Sequence, residues 1–305
     1  MKRYIIPVVF FVTVIFQILA GSKNDPVLMT INGKDVHQSE FEYLYNKNKL
    51  QQAQPQSFDE YLEMFIVYKL KVADAEAAGI DTTSTFRNEL RGYFKDLALP
   101  YLSEHTQLTD DNIFDQLADK EPEFKNIMNE YRDGILLFEI SNRNVWEKSV
   151  TDKTGLENYF LSNISLYKWN EPHYKGYVIY APNDSLANVA GIFLNNTKPN
   201  PDSLTTVLRA NFGRDIKAEK VITARGENPI VDHIAFSGES PEPKGRWNVW
   251  FGYMGRIINA PEEAADVRGP VTSDYQQLLE KKWVEKLRKK YPVKLNKKVI
   301  RQLRK

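Results

Sequence analysis

Val27-Leu28-Met29-Thr30-Ile31-Asn32-Gly33-Lys34-Asp35-Val36-His37-Gln38-Ser39-Glu40-Phe41 decides how the first part of the chain is read. Asn-Gly between two extended runs is the strongest short-range hairpin signal. A two-residue type I′ loop needs positive φ at both central positions, and Asn and Gly tolerate it. Ser39 and Glu42 then have the spacing of a capping box, so a helix is predicted to start as soon as the second strand ends. The stretch reads as strand, tight turn, strand and amphipathic helix.

Upstream, Lys2-Arg3 precede an apolar run over residues 5–20, and Ala20, Gly21 and Ser22 offer small residues for cleavage. This is the pattern of an export signal over residues 1–22, so the mature chain is expected to be exported. No cysteine follows Gly21, so the lipid-anchor pattern is missing. The run, interrupted by Pro7 and Thr13, is shorter than the roughly 20 residues that cross hydrocarbon; an uncleaved inner-membrane anchor with the rest facing the periplasm is the alternative. With 305 residues and no cysteine, the chain favours two domains and has neither disulfides nor thiol catalysis. Its net charge is +1, and about −1 without Lys2 and Arg3. Such a balance lacks the basic stripe of a phosphate-binding protein and excludes nucleic acid as the expected partner.

Working outward, the first half reads as helices. Ser57 with Glu60 repeats the capping-box spacing before Phe58, Tyr61, Leu62, Phe65, Tyr68 and Val72, and Gly79 supplies a stop. Another helix follows Thr83, kinked or ended by Pro100, and Thr109 can cap a short one through Leu117. Pro122 suits the first turn of a long helix to about Phe138. Thr154 with Glu157, and Ser273 with Gln276, give two more capping-box spacings. After residue 170 the pattern changes to strands at 174–181, 216–224, 231–236 and 247–258, with helices at 186–193 and 204–212 between them. Helical character returns at 272–291, where Tyr275, Leu278, Leu279, Trp283 and Leu287 form an apolar stripe that needs a cover. Residues 294–305 read as a solvated basic end with a few packed side chains. The predicted class is α+β, with 23–170 as a helical domain joined by 271–305, and 171–270 as an inserted α+β module.

This outline resembles the SurA- and PpiD-like periplasmic parvulin-type foldases of the Bacteroidetes type. The likeness is carried by the opening quoted above; by Glu130-Tyr-Arg-Asp-Gly-Ile-Leu-Leu-Phe-Glu-Ile-Ser-Asn142 with Val145-Trp146 and Gly155-Leu-Glu-Asn-Tyr-Phe160; and by Asp266-Val-Arg-Gly-Pro-Val-Thr-Ser-Asp-Tyr275 with the segment starting at Leu287. The resemblance implies a helical chaperone core completed by the returning C-terminal helix, with a parvulin domain inserted. It further implies an ATP-independent holdase for unfolded or outer-membrane clients, peripheral to the envelope assembly machinery. An active parvulin domain carries a Gly-Gly-Asp-Leu-Gly type loop and a Gly-aromatic-His ending. The region 172–270 has His173 and His233 but neither motif, so the isomerase domain is missing or degenerate. A divergent prolyl isomerase, or an accessory subunit of an envelope complex, are the alternatives.

Other constellations give little chemistry. His37, His105, His173 and His233 have no ligand spacing, so no metal or other cofactor is expected. Asp232-His233 lacks a Gly-x-Ser-x-Gly elbow, and Gly252-Tyr-Met-Gly255 is too short to cradle phosphate, so no catalytic residue is assigned. The aromatic residues are the remaining candidates. Tyr61, Phe65 and Tyr68 on the second helix, and Trp247, Trp250 and Tyr253 on the last strand, are the candidate client contacts, each set against ordinary burial in a core.

Overall fold

The computed structural model describes residues 25–51, 56–102, 117, 118, 120–243 and 245–304. The segment read as an export signal, the expected Thr109 cap and His105 lie outside them. The class is α+β, with two three-stranded antiparallel sheets. Two compact units divide at 141/142 and again at 282/283, so the second is inserted into the first. The sequence reading had placed those joints near 170 and 270. The long final helix is shared, which moves the second joint into its interior.

The first unit begins with β1 (Val27–Ile31) and β2 (Lys34–His37), paired antiparallel with Ile31 opposite Lys34. Asn32 and Gly33 have φ of 51° and 80°, the mirror-turn geometry their side chains permit. A strand with no individual sequence signal, β6 (Val293–Leu295), pairs with β1 from the far end of the chain, giving the order β2-β1-β6. Leu28, Met29 and Ile31 are buried beneath the helices.

The helices that follow, among the described residues, include α1 (Gln38–Gln51), α2 (Phe58–Ala77), α3 (Ser84–Leu102) and α4 (Pro122–Ser141). Ser57 caps α2 as predicted, accepting from Glu60 N–H while its own N–H donates to the Glu60 carboxylate at 3.0 Å. Ser39 does not cap α1. Residue 38 is already helical, and Ser39 lies in the first turn, where its N–H and hydroxyl donate to Asp25 from outside the helix. Phe41 from α1 sits edge-on to Phe58, Tyr61 and Phe65 of α2, with centroids 5.2 to 5.6 Å away. Edge-to-face pairing of this kind adds roughly 0.5–1.5 kcal/mol per pair beyond area burial. Pro100 is accommodated inside α3 rather than ending it.

The second unit starts with a π turn over Asn142–Trp146, then α5 (Glu147–Thr151) and α6 (Lys153–Ser162). Asp152, not Thr154, caps α6 by accepting from Gly155 N–H at 2.8 Å, and Glu157 instead accepts from Ala264 N–H. The sheet β4-β3-β5 is built from β3 (His173–Ala181), β4 (Lys217–Ala224) and β5 (Val249–Ile258). Helices α7 (Asp184–Thr197) and α8 (Leu204–Phe212) cover one face, packing Leu194, Leu204 and Leu208 on Ile179 and Phe251.

The other face is covered by α9 (Pro229–Ala235), where a strand was expected at 231–236. Asn228 caps it through Ile230 and Val231 N–H, and Pro229 occupies the first turn, where its missing N–H costs nothing. The alternation of Val231, His233 and Ala235 was therefore read with the wrong period. Last comes α10 (Arg268–Lys290), which begins well before Ser273, so that residue is interior and Gln276 donates to Ser149 Oγ at 3.0 Å. After β6 the chain closes with α11 (Lys297–Leu303), capped by Asn296.

Candidate functional site

One carboxylate gathers three side chains of the C-terminal segment onto α2 of the first unit. Asp74 on α2 accepts from Trp283 Nε1 at 3.1 Å, Tyr291 Oη at 2.9 Å and Lys290 Nζ at 2.9 Å. Burial disfavours its ionisation, but the bonds from Lys290, Trp283 and Tyr291 outweigh that and hold the carboxyl below its usual range. Lys71 lies 5.1 Å from the Trp283 ring, and Arg288 pairs with Glu63. The stripe predicted to need a cover finds it, for Trp283 and Leu287, in this unit.

A second network crosses the interior of the same unit. Lys69, with only 14% of its side chain exposed, bridges Glu40 at 2.7 Å and Asp133 at 2.8 Å. Asp133 also meets Arg132 at 2.7 Å, and Arg132 continues to Glu76, which Lys34 joins. Alternating charge leaves each buried group paired, which such a position requires. Tyr68 belongs to this network: its hydroxyl donates to Asp133 at 3.2 Å, and burial, then the Asp133 charge, push its pKa far up. Tyr61 and Phe65 are both buried in the aromatic cluster, and the Tyr61 hydroxyl accepts from Asn48.

In the second unit, β5 places rings on both faces. Tyr253 and Phe251 pack under α7 and α8, and the Tyr253 hydroxyl donates to Leu194 O at 3.3 Å; Trp250 packs on the opposite face with Tyr174, Val178 and Val231. Helices therefore cover both faces of this strand. Trp247 lines an open cleft of about 230 Å³ with Leu208, Ile216 and Arg214, and the Arg246 guanidinium stacks 5.2 Å from its ring.

His173 stacks on Trp169 at 3.8 Å at the start of β3, while His233 is exposed on α9 with Nδ1 against Gly238 O. Among the described residues no group of three or more His, Asp or Glu side chains gathers to hold a metal, and no helix is long and apolar enough to cross a membrane.

The feature that sequence reasoning missed lies between α2, the end of β6 and α11. It is an open groove of about 380 Å³ with Leu62, Ile66, Leu295 and Ile300 along its floor and Lys297 and Arg301 on one rim. The acids of the other rim, Asp59 and Glu63, are taken by Arg304 and Arg288. Leu295 remains 42% exposed. The groove offers apolar contact and positive charge, with no nucleophile or general base identified in it. No residue pattern within one segment could reveal it, because its walls are separated by more than 200 positions.

No family model matches the chain, and no curated protein matches it. Among solved structures, it is similar to one from a study of the virulence factor PEB4 and the periplasmic protein Cj1289, described there as structurally related SurA-like chaperones of Campylobacter jejuni. The similarity covers 89% of this chain and 99% of that one, at 13% identity and a TM-score of 0.35, which makes it a distant likeness.

Proposed function

We propose that the chain is an ATP-independent periplasmic chaperone that holds unfolded or outer-membrane polypeptides and does not catalyse prolyl isomerisation. The observation that carries this reading is the open groove between α2, β6 and α11, where exposed Leu295 lies beside the buried Leu62, Ile66 and Ile300 and the rim carries charge. Burying one or two client side chains there stabilises a complex only modestly, at about 25 cal/mol per Å² of apolar surface removed from water. The entropic cost of ordering the client offsets part of that gain and keeps release spontaneous. The sequence resemblance to SurA- and PpiD-like foldases points the same way.

An aggregation assay tests the reading. Residues 23–305, at several-fold excess over a chemically denatured enzyme diluted into buffer, are expected to suppress light scattering without nucleotide. Scattering equal to that with an inert protein would remove the proposal.

A further inference from the structure

Resting on the reading above, we infer that the groove receives its client as an added β-strand on the open edge of β6, and that it selects extended segments carrying apolar side chains flanked by Asp or Glu. Among the described residues, the sheet order β2-β1-β6 leaves β6 with a strand neighbour on one side. Two bonds fix which of its backbone groups face outward. Asn296 N–H donates to Leu28 O at 2.9 Å, and Asn32 N–H to Pro292 O at 3.3 Å, so 28/296 and 32/292 are hydrogen-bonded pairs. With Met29 opposite Leu295 and Ile31 opposite Val293, these residues occupy the alternate, non-bonded positions. Val293 and Leu295 therefore turn their N–H and C=O groups away from β1, two residues apart, the repeat that an incoming strand bonds to.

The side-chain geometry agrees with strand addition. Leu295 shares the sheet face of the buried Met29 and reaches the groove floor beside Leu62, Ile66 and Ile300. A strand laid along β6 would send every second side chain to that same face, and so toward the floor.

Charge then selects among extended segments. Lys294, Lys297, Lys298 and Arg301 are exposed and have no acidic partner among the described residues, whereas the groove's acids are already paired with Arg288 and Arg304. The open rim is thus net positive next to the edge, and it complements an acidic flank while opposing a basic one. Cations beside an open edge also discourage copies of this chain from pairing there.

The test is fluorescence anisotropy with a labelled nine-residue peptide, Asp-Glu-Val-Thr-Leu-Thr-Phe-Asp-Glu, titrated with residues 23–305, which retain every described residue. Saturable binding is expected, with roughly tenfold weaker binding for the version carrying Lys in place of its acids. N-methylation of alternate amides on one edge of the peptide is expected to abolish binding, and on the other edge to leave it intact. Lys297→Glu with Arg301→Glu, both exposed and unpaired, is expected to reverse the preference toward the Lys peptide, a gain that misfolding cannot produce. Equal binding of the two peptides, or methylation that is neutral on both edges, overturns the inference. So does binding of phosphatidylglycerol vesicles without binding of the peptide, which would assign the cations to a lipid surface. If the aggregation assay succeeds while the peptide fails, the chaperone reading stands and strand addition falls. The opposite pair of results leaves a peptide site on a protein that is not a holdase.

Discussion

Trp283 Nε1 donates to Asp74 Oδ2 at 3.1 Å across 209 positions of sequence, and the chain between them includes the whole second unit. This bond and its two companions fasten the returning helix to α2 and so set the wall on which the groove depends.

Trp283→Phe is expected to cost about 1 kcal/mol, because it removes one hydrogen bond and keeps a ring. Trp283→Ala is expected to cost roughly 3–5 kcal/mol through lost packing. Urea unfolding of the full chain reads both. Equal effects would mean that the hydrogen bond carries the whole contribution.

Asp74 makes the same attachment sensitive to acid. Its folded pKa lies below the unfolded value of about 3.9, so its contribution is complete above that value and is lost as pH falls through the folded pKa. Asp74→Asn is therefore expected to lower the urea midpoint at pH 6 and to converge with the parent below about pH 4. A constant difference at all pH values would rule out the charged form as the source.

In the second unit, the Tyr174 ring lies against Gly255 so closely that an added Cβ would fall 2.0 Å from its hydroxyl. Gly255→Ala is expected to destabilise the protein by about 3 kcal/mol through overpacking. The penalty should shrink when Tyr174 is already Ala, a coupling that a double-mutant cycle measures. Next to it, Met254 has φ of 52°, in the bulged stretch of β5. Met254→Gly relieves that conformation and is expected to raise stability by about 1 kcal/mol. Lower stability would show that the Met254 side chain contributes more than its backbone costs.

If the inserted module is not an isomerase, adding the protein at catalytic ratios leaves the slow, proline-limited phase of a refolding substrate unchanged. Acceleration of that phase would establish the divergent isomerase instead.

Much of the fold was legible locally, and what was missed is mostly non-local. Asn32-Gly33 and the Ser57 capping box were read correctly because their partners lie within three residues. Three other capping-box spacings were coincidences, since the helices already had starts: one helix is served by Asp25 from outside, one is capped by Asp152 and one begins at Arg268. At 231–236 an alternating pattern too short to separate period 2 from 3.6 outweighed the Asn228-Pro229 start signal. The strand β6 has three residues and exists only because β1 lies beside it, so its pairing could not be read from its own sequence. The groove inherits that invisibility. Aromatic content drew attention to Tyr61 and Phe65, whose rings pack against Phe41, whereas the open apolar surface is aliphatic and sits among lysines and arginines.

Hydrogen exchange on the protein, alone and with an unfolded client, tests most directly whether the groove is where chains are held. Slowed exchange is expected at the Val293 and Leu295 amides, which face the open edge, and along the groove wall of α2. Slowing confined to residues 172–262, or absent everywhere while the client is bound, would contradict it.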